Sequence, residues 1–322
     1  MREIQRHARP RNPDFPGTPN PETVLFSRNP ETESMKCSVI VPVHNHWHLI
    51  PKFLECLGRQ TLPQSRFEII LVENCSDDFR PPDPMPANAR IEHCRTPGSY
   101  AARNEGIKHA TGTWLAFTDA DCRPRPDWLE NLMAATEQVN QLTSQPANHL
   151  TLFAGAVEMI PQNDPPNRWE IYDLVRGIPQ SWYVKRGYAA TANLAVSAEL
   201  MNRLGGFDAS RHSGGDAELC RRARKAGAAL EYVPNAVVEH PARQSWEELV
   251  AKVRRVKHGQ VMSGTRTERR RWRLRTLLPP VIEIFKYLRA RQWPLSFRLQ
   301  AIAVQFRLWP VDVHETWRLR DE

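Results

Sequence analysis

The run TWLAFT, Thr113 to Thr118, constrains this chain more than any other stretch. A short apolar run with β-favouring residues fits a strand buried on both faces. Its flanks agree with that reading. Tyr100 to His109 reads as a helix, with Ala101, Ala102, Glu105 and Lys108 as good formers, and Gly112 is placed to end it in a left-handed turn. Downstream, Pro124 and Pro126 stop the strand, and Asp127 to Glu130 opens the next helix.

At the carboxyl end of this strand stand Asp119 and Asp121, with only Ala120 between them. Open α/β sheets bind their ligands at that edge. Oxygen donors on a short loop suit a hard divalent cation, Mg²⁺ or Mn²⁺, that takes its remaining ligands from water and phosphate. A solvated turn is the alternative, since Asp is a common turn residue.

The whole chain sets the frame. Its 322 residues allow one large domain with an appendage, or two modest domains. Hydrophobic content of 41% and charged content of 25% are ordinary for a globular protein. No apolar run reaches the length of a membrane span, and Met1-Arg2-Glu3 leads into charge and proline rather than a signal core. A cytoplasmic protein is expected. Six cysteines, 37, 56, 75, 94, 122 and 220, lie far apart with no C-x-x-C pair, which argues against a zinc knuckle or a disulfide scaffold. The net charge of +8 is uneven, because residues from Pro241 onward hold 18 Lys/Arg against 8 Asp/Glu. A near-neutral body with a basic tail calls for two explanations.

In chain order, residues 1–34 carry prolines among polar residues and no apolar period, as expected of a disordered leader. CSVIVPVHN (37–45) is a strand, and His46 to Gln60 a helix with Ile50, Phe53, Leu54 and Leu57 on one face. FEIILVENCSDD (67–78) is a strand running into a polar loop, and ARIEHC (89–94) a short third strand. With Thr113 to Thr118 these alternate in the manner of a parallel α/β sheet. Polar clusters close two of the strands.

VPVHN, VENCSDD, GSYAARNEG and TDADC, in this order and spacing, resemble the nucleotide-binding half of the family 2 glycosyltransferases with the GT-A fold. TANLAVSAELMNRLGGFD (191–208) and GGDAELCRRARKAG (214–227) resemble that family's acceptor-side segments, so the likeness covers residues 35 to 242. It implies a Rossmann-like mixed sheet flanked by helices. Pro42, His44 and Asn45 fall at the strand end where an aromatic group lies against the base. Glu73 and Asn74 occupy the paired position that holds the ribose and reads the base edge. Arg103 and Asn104 fall on the helix facing the diphosphate. Asp121 matches the metal-binding carboxylate, Asp119 its companion at metal or ribose, and His240 a position where some relatives supply an imidazole. Thr191 to Asn193 lie where sugar or acceptor is met. Asp216 stands at the catalytic base, with Ser213 as helix cap, Glu218 following, and Gly215 in place of a neighbouring acid.

Beyond residue 242 the chain reads as amphipathic helices with cationic edges. Ser245 to Glu248 forms a capping box before a face of Trp246, Leu249, Val250, Val253 and Val256. Five arginines lie between 269 and 275; apolar faces follow at Ile284, Phe285 and Leu288, and at Leu295, Leu299, Ile302, Phe306 and Trp309. Three readings compete: packing on the catalytic domain, contact with an anionic membrane, and nucleic-acid binding, for which no recognised module is present.

The expected protein is thus a leader (1–34), a GT-A catalytic domain (35–242) and a basic helical extension (243–322). The resemblance implies an inverting, metal-dependent glycosyltransferase of the hexosyltransferase type. It would use a nucleoside-diphosphate sugar and a carbohydrate or lipid-linked acceptor, in surface polysaccharide or glycolipid synthesis, at the inner face of the membrane. A nucleotidyltransferase on a similar scaffold is one alternative, although VPVHNHWH lacks a Gly-rich basic loop. A catalytically inactive nucleotide-sugar or membrane-binding protein is the other.

Overall fold

The structure, a computed structural model, describes residues 37–142 and 150–319, so the expected leader lies outside the described residues. β1 (Cys37–Val43) is the axis of the sheet. It pairs in parallel with β2 (Phe67–Glu73) on one side and β4 (Trp114–Phe117) on the other, and β3 (Ala89–His93) extends the sheet beyond β2. Side chains alternate across a strand, and here both faces are apolar. Val39, Val41, Ile69 and Leu71 enter one core, while Ile40, Ile70 and Val72 enter the other. The first core is closed by α1 (Ile50–Gly58) and α3 (Trp128–Leu142), with Phe53 and Trp128 buried. The second is closed by α2 (Ser99–His109), α6 (Ala198–Leu204) and α7 (Gly215–Lys225), with Val184 of the short α5 (Gln180–Lys185) packed against it.

Past β4 the sheet becomes mixed. β7 (Leu194–Ser197) runs antiparallel to β4, and β6 (Thr151–Ile160), β8 (Ala229–Pro241) and the two-residue β5 (Arg123–Pro124) complete the order β3-β2-β1-β4-β7-β6-β8-β5. This is the expected Rossmann-like mixed sheet flanked by helices. Residues 229–241 form one continuous strand across Pro234. β8 stays in register with β6 because the ladder shifts between Gly155 and Ala156, which lets Pro234 to Ala236 bulge. Gly112 has a different task from the expected left-handed stop. A Cβ there would lie 2.6 Å from the Ser38 amide nitrogen, so the residue is small in order to let two backbones touch.

A buried carboxylate locks this corner. Glu68 accepts hydrogen bonds from Ser38 Oγ (2.5 Å), from the Thr111 amide (2.7 Å) and from Thr111 Oγ1 (2.8 Å), and it pairs with Arg90. Burial opposes its ionisation, but these bonds outweigh burial and lower its pKa.

A third core lies away from the sheet. α4 (Arg168–Arg176) packs Ile171, Tyr172 and Val175 against Leu249 of α8 (Trp246–Met262), Tyr287 of α10 (Val281–Arg289), and Ala301, Val304 and Leu308 of α11 (Leu295–Arg318). Gln305 Oε1 accepts from both Tyr172 and Tyr287 at 3.0 Å. Buried Asp173 ties α4 to the next segment through Arg243 Nη1 (2.7 Å) and Lys252 Nζ (3.4 Å). The apolar face read for α8 packs inward through Leu249, Val250 and Val253. The faces read for α10 and α11 are mostly outer ones, although Ile302 packs on this core. Phe285, Leu288, Leu295, Leu299 and Phe306 are exposed, and the buried residues are Tyr287 and the Ala301-Val304-Leu308 stripe. The arginine run forms α9 (Arg266–Thr276), capped reciprocally by Thr265 and Glu268.

Candidate active site and metal centre

Three parallel strands deliver polar loops to one edge. The loop after β1 and the loop after β2 are stitched together: Asn45 Oδ1 accepts from the Asp77 amide (2.8 Å), and the Asn45 amide donates to Ser76 Oγ (3.0 Å). Asn45 and Cys75 both adopt positive φ, 55° and 59°. His44 donates from Nδ1 to the Asn74 carbonyl at 2.8 Å, which holds an exposed imidazole in place with half-buried Pro42 just before it.

The paired residues at the end of β2 face different ways, as neighbours on a strand must. Glu73 is buried and accepts from Trp47 Nε1 (2.5 Å), Ser76 Oγ (2.8 Å) and the Ser76 amide. Asn74 is 3% exposed. Its amide nitrogen donates to the carbonyls of Cys94 (3.0 Å) and Thr96 (2.7 Å), and its Oδ1 accepts from the Gly98 amide (2.8 Å). With both amide hydrogens engaged, Asn74 braces the loop leading to α2 and has none left for a base edge.

α2 separates its two candidates in the same way. Arg103 reaches the site, donating from Nη2 to Asp119 Oδ1 at 2.6 Å. Its Nε is buried and has no hydrogen-bond partner among the described residues. Asn104 is engaged by backbone. It exchanges two 2.8 Å hydrogen bonds with the Phe207 backbone and so braces the loop before α7.

The acidic loop after β4 meets the end of β8. Asp119, Asp121, Cys122 and His240 place one candidate ligand atom each within 4.8 Å of one another. His240 Nδ1 donates to the Pro241 carbonyl (2.9 Å), and its Nε2 faces the acidic loop, 3.7 Å from Asp121 Oδ2. Burial opposes ionisation of Asp121, but His240, His46 and Arg243 outweigh it and hold its carboxyl below the usual value. Cys122, absent from the sequence-based set, is a different kind of neighbour. Burial, reinforced by Asp121 and Asp119, pushes its thiol up. Two carboxylates and an imidazole fit a hard or borderline divalent cation.

Asp216 lies in the first turn of α7. Gly214, at φ 76°, is the residue before that helix, and no side chain caps it, so the expected Ser213 cap is not formed. The Ala217 amide donates to Asp216 Oδ1 (2.8 Å), and the Asp216 amide donates to Tyr100 Oη (3.4 Å). Burial raises the Asp216 pKa; the Ala217 amide and Arg103 pull against it, and Asp119 adds to the rise. Tyr100 explains Gly215. A Cβ at 215 would stand 2.7 Å from the Tyr100 ring, so the aromatic residue occupies the room that a neighbouring acid would need. Burial, then Asp216, pushes the Tyr100 hydroxyl up to about 12, which keeps it neutral. Glu218 is engaged elsewhere, bound to Arg222 at 2.7 and 2.9 Å.

Thr191 to Asn193 are buried, and the Thr191 backbone amide is hydrogen-bonded to Asp216, which works against the rise of the Asp216 pKa. Asn193 is fully buried and bonds Trp128 Nε1 (2.8 Å) and the carbonyls of Ala156 (2.8 Å) and Ala236 (2.9 Å), joining four segments of the sheet region.

Comparison with known proteins agrees with this geometry. Residues 38–145 match the family described as Glycosyl transferase family 2. The chain is 32% identical over 231 residues to glycosyltransferase AglE of Haloferax volcanii, covering 70% of this chain and 72% of that protein. It is 30% identical over 240 residues to the pre-mycofactocin glycosyltransferase of Mycobacterium tuberculosis, covering 71% of this chain and 48% of that protein. Among solved structures, S. aureus TarS 1–349 in complex with UDP-GlcNAc shares the fold, with a TM-score of 0.51 and 17% identity over 88% of this chain and 90% of that one. An edge of strand-end acids, a sheet of this order and relatives matched over more than two thirds of the chain lead to one statement: the protein belongs to glycosyl transferase family 2 and is a glycosyltransferase.

Proposed function

We propose that the protein moves a sugar from a nucleoside-diphosphate donor to a hydroxyl of a carbohydrate or lipid-linked acceptor, in a single displacement that inverts the anomeric carbon. The reading rests first on the convergence of Asp119, Asp121 and His240 within 4.8 Å at the carboxyl edge of the sheet. Those three side chains would hold Mg²⁺ or Mn²⁺, which when bound supplies positive charge to the leaving diphosphate. Arg103 adds fixed positive charge, because its Nε is an unpaired donor and its Nη2 is already oriented by Asp119. His44 and Glu73 line the nucleoside side. TarS, of like fold, carries UDP-GlcNAc in its complex, which supports a nucleotide sugar as donor class here.

Asp216 is the proposed general base. As the acceptor oxygen forms its bond to the anomeric carbon, the bond from that carbon to the diphosphate oxygen breaks, and the hydroxyl proton passes to the Asp216 carboxylate. A raised pKa makes this carboxylate a stronger base than an exposed Asp. Tyr100 and the Ala217 amide keep it placed. In this reading residues 35–242 are the catalytic domain and 243–322 a helical extension that braces it.

The test is binding followed by turnover. Calorimetry with nucleoside diphosphates and their sugars should show Mn²⁺-assisted binding that Asp121→Ala removes. Release of nucleoside diphosphate in the presence of acceptor then separates an enzyme from a protein that only binds the donor. Donor binding indifferent to divalent cations would remove the metal from this scheme.

A further inference from the structure

The helical layer has an outer surface that the third core leaves unused. α10 places Tyr287 inward, 1% exposed, and turns Val281 (48%), Ile282 (66%) and Phe285 (56%) out. Leu277 (46%) and Leu278 (66%), between α9 and α10, continue the same run. Several large apolar side chains exposed within nine residues of chain are not the scattered singles that an ordinary surface carries.

Charge accompanies this strip. Residues 266–291 hold nine Lys/Arg against two acids, Glu268 and Glu283. Arg266, Arg270, Arg271, Arg289 and Arg291 are exposed on both flanks of it. No described helix is long and apolar enough to cross a membrane. An amphipathic segment that combines exposed Leu, Ile and Phe with flanking arginines, and cannot span, has the chemistry of one lying in the interface plane of a bilayer.

We propose that the α9–α10 surface docks the protein on an anionic lipid bilayer, with Leu277, Leu278, Ile282 and Phe285 entering the headgroup region and the flanking arginines meeting lipid phosphates. A second copy of the chain suits this surface less well. A two-fold contact would place the same arginine-rich patch on both sides of one interface, with like charges facing each other. Nucleic acid would satisfy the arginines but offers no apolar layer for Ile282 and Phe285.

The experiment is co-sedimentation of the full chain with vesicles of phosphatidylglycerol and phosphatidylcholine, against vesicles of phosphatidylcholine alone, across a salt series. Binding to the anionic vesicles should be at least tenfold tighter and should weaken as salt rises. I282E/F285E should lower the bound fraction at least tenfold while leaving the thermal unfolding midpoint in place, and the milder I282S/F285S should lower it less. R270E/R271E should weaken binding and flatten its salt dependence. Full recovery of the protein in the supernatant with anionic vesicles would overturn the proposal, as would binding that neither pair of substitutions alters. A concentration-dependent dimer in sedimentation equilibrium that I282E/F285E abolishes, without any vesicle binding, would assign the surface to a second copy instead. Binding to a single-stranded RNA probe but not to vesicles would assign it to nucleic acid.

Discussion

β2 and α10 show two ways in which this chain uses apolar residues. All seven residues of β2 are buried, whereas among the nine residues of α10 only Tyr287 is. The strand lies between two packed cores and is satisfied on both faces. The helix is satisfied on one side, against α4 and α11, and keeps further apolar side chains outside. In the sheet region, then, apolar character reports folding, and polar residues at strand ends report chemistry. In the helical layer the inner stripe reports folding, and the surplus apolar residues report contact with something else.

The largest expected effect lies at the sheet edge. Asp216→Asn should lower turnover about 10³-fold, within the range of general-base contributions, while nucleotide affinity and unfolding temperature stay unchanged. Steady-state release of nucleoside diphosphate, paired with calorimetry, would check it. Wild-type activity should also lose its base as acid is added. The raised Asp216 pKa places the acid limb of kcat/KM above about 3.9, the reference value for Asp. A profile flat down to that value would separate the limb from this residue.

Next in size is a substitution in the sheet corner that touches no ligand. Glu68→Ala should destabilise the fold by about 3 kcal/mol, because Arg90, Ser38 and the Thr111 amide lose a buried partner. Its folded pKa is lowered, so in the wild type this contribution is present above the unfolded value of about 4.3 and is lost as pH falls through the folded value. Urea unfolding of both proteins at neutral and acidic pH should show the difference shrink on the acid side.

The helical layer should respond more weakly. Tyr287→Phe removes one of the two hydroxyls donating to Gln305 and should cost about 1 kcal/mol. Ile282→Ser, on the outer surface, should change stability by less than about 0.5 kcal/mol by the same urea measurement. If Ile282→Ser instead cost as much as Glu68→Ala, the outer strip would be part of a core, and the contrast between the two regions would fail.

How far the sequence could be read follows the same division. Asp119 and Asp121 were legible because an apolar strand marks where a sheet edge must be, and residues just past that edge have few other places to go. Arg103 and Asn104 were legible as a helix position but not as individual roles. Consecutive residues on a helix point about 100° apart, and only the packed helix shows that one meets Asp119 while the other meets Phe207. Glu73 and Asn74 pose the strand version of that problem. Tyr100 and Cys122 carried no polar pattern that would single them out. Tyr100 matters because α7 approaches α2 closely enough to require glycine at 215. The fate of the α10 and α11 faces was not legible because both helices are apolar on more than one side, and periodicity identifies a stripe without saying which stripe is covered.

By itself, then, the sequence determined the parallel strands, the helices between them, the acidic loop at their edge and the basic, amphipathic character of the tail. These depend on local alternation and local charge, which the order of residues contains directly. Only the tertiary structure decided that His240 turns Nε2 toward Asp121, that Asn74, Asn104 and Asn193 brace loops and strands, and that Ile282 and Phe285 face outward. Each of these depends on which distant segment arrives alongside, a relation fixed by packing between elements and written in no single stretch of the chain.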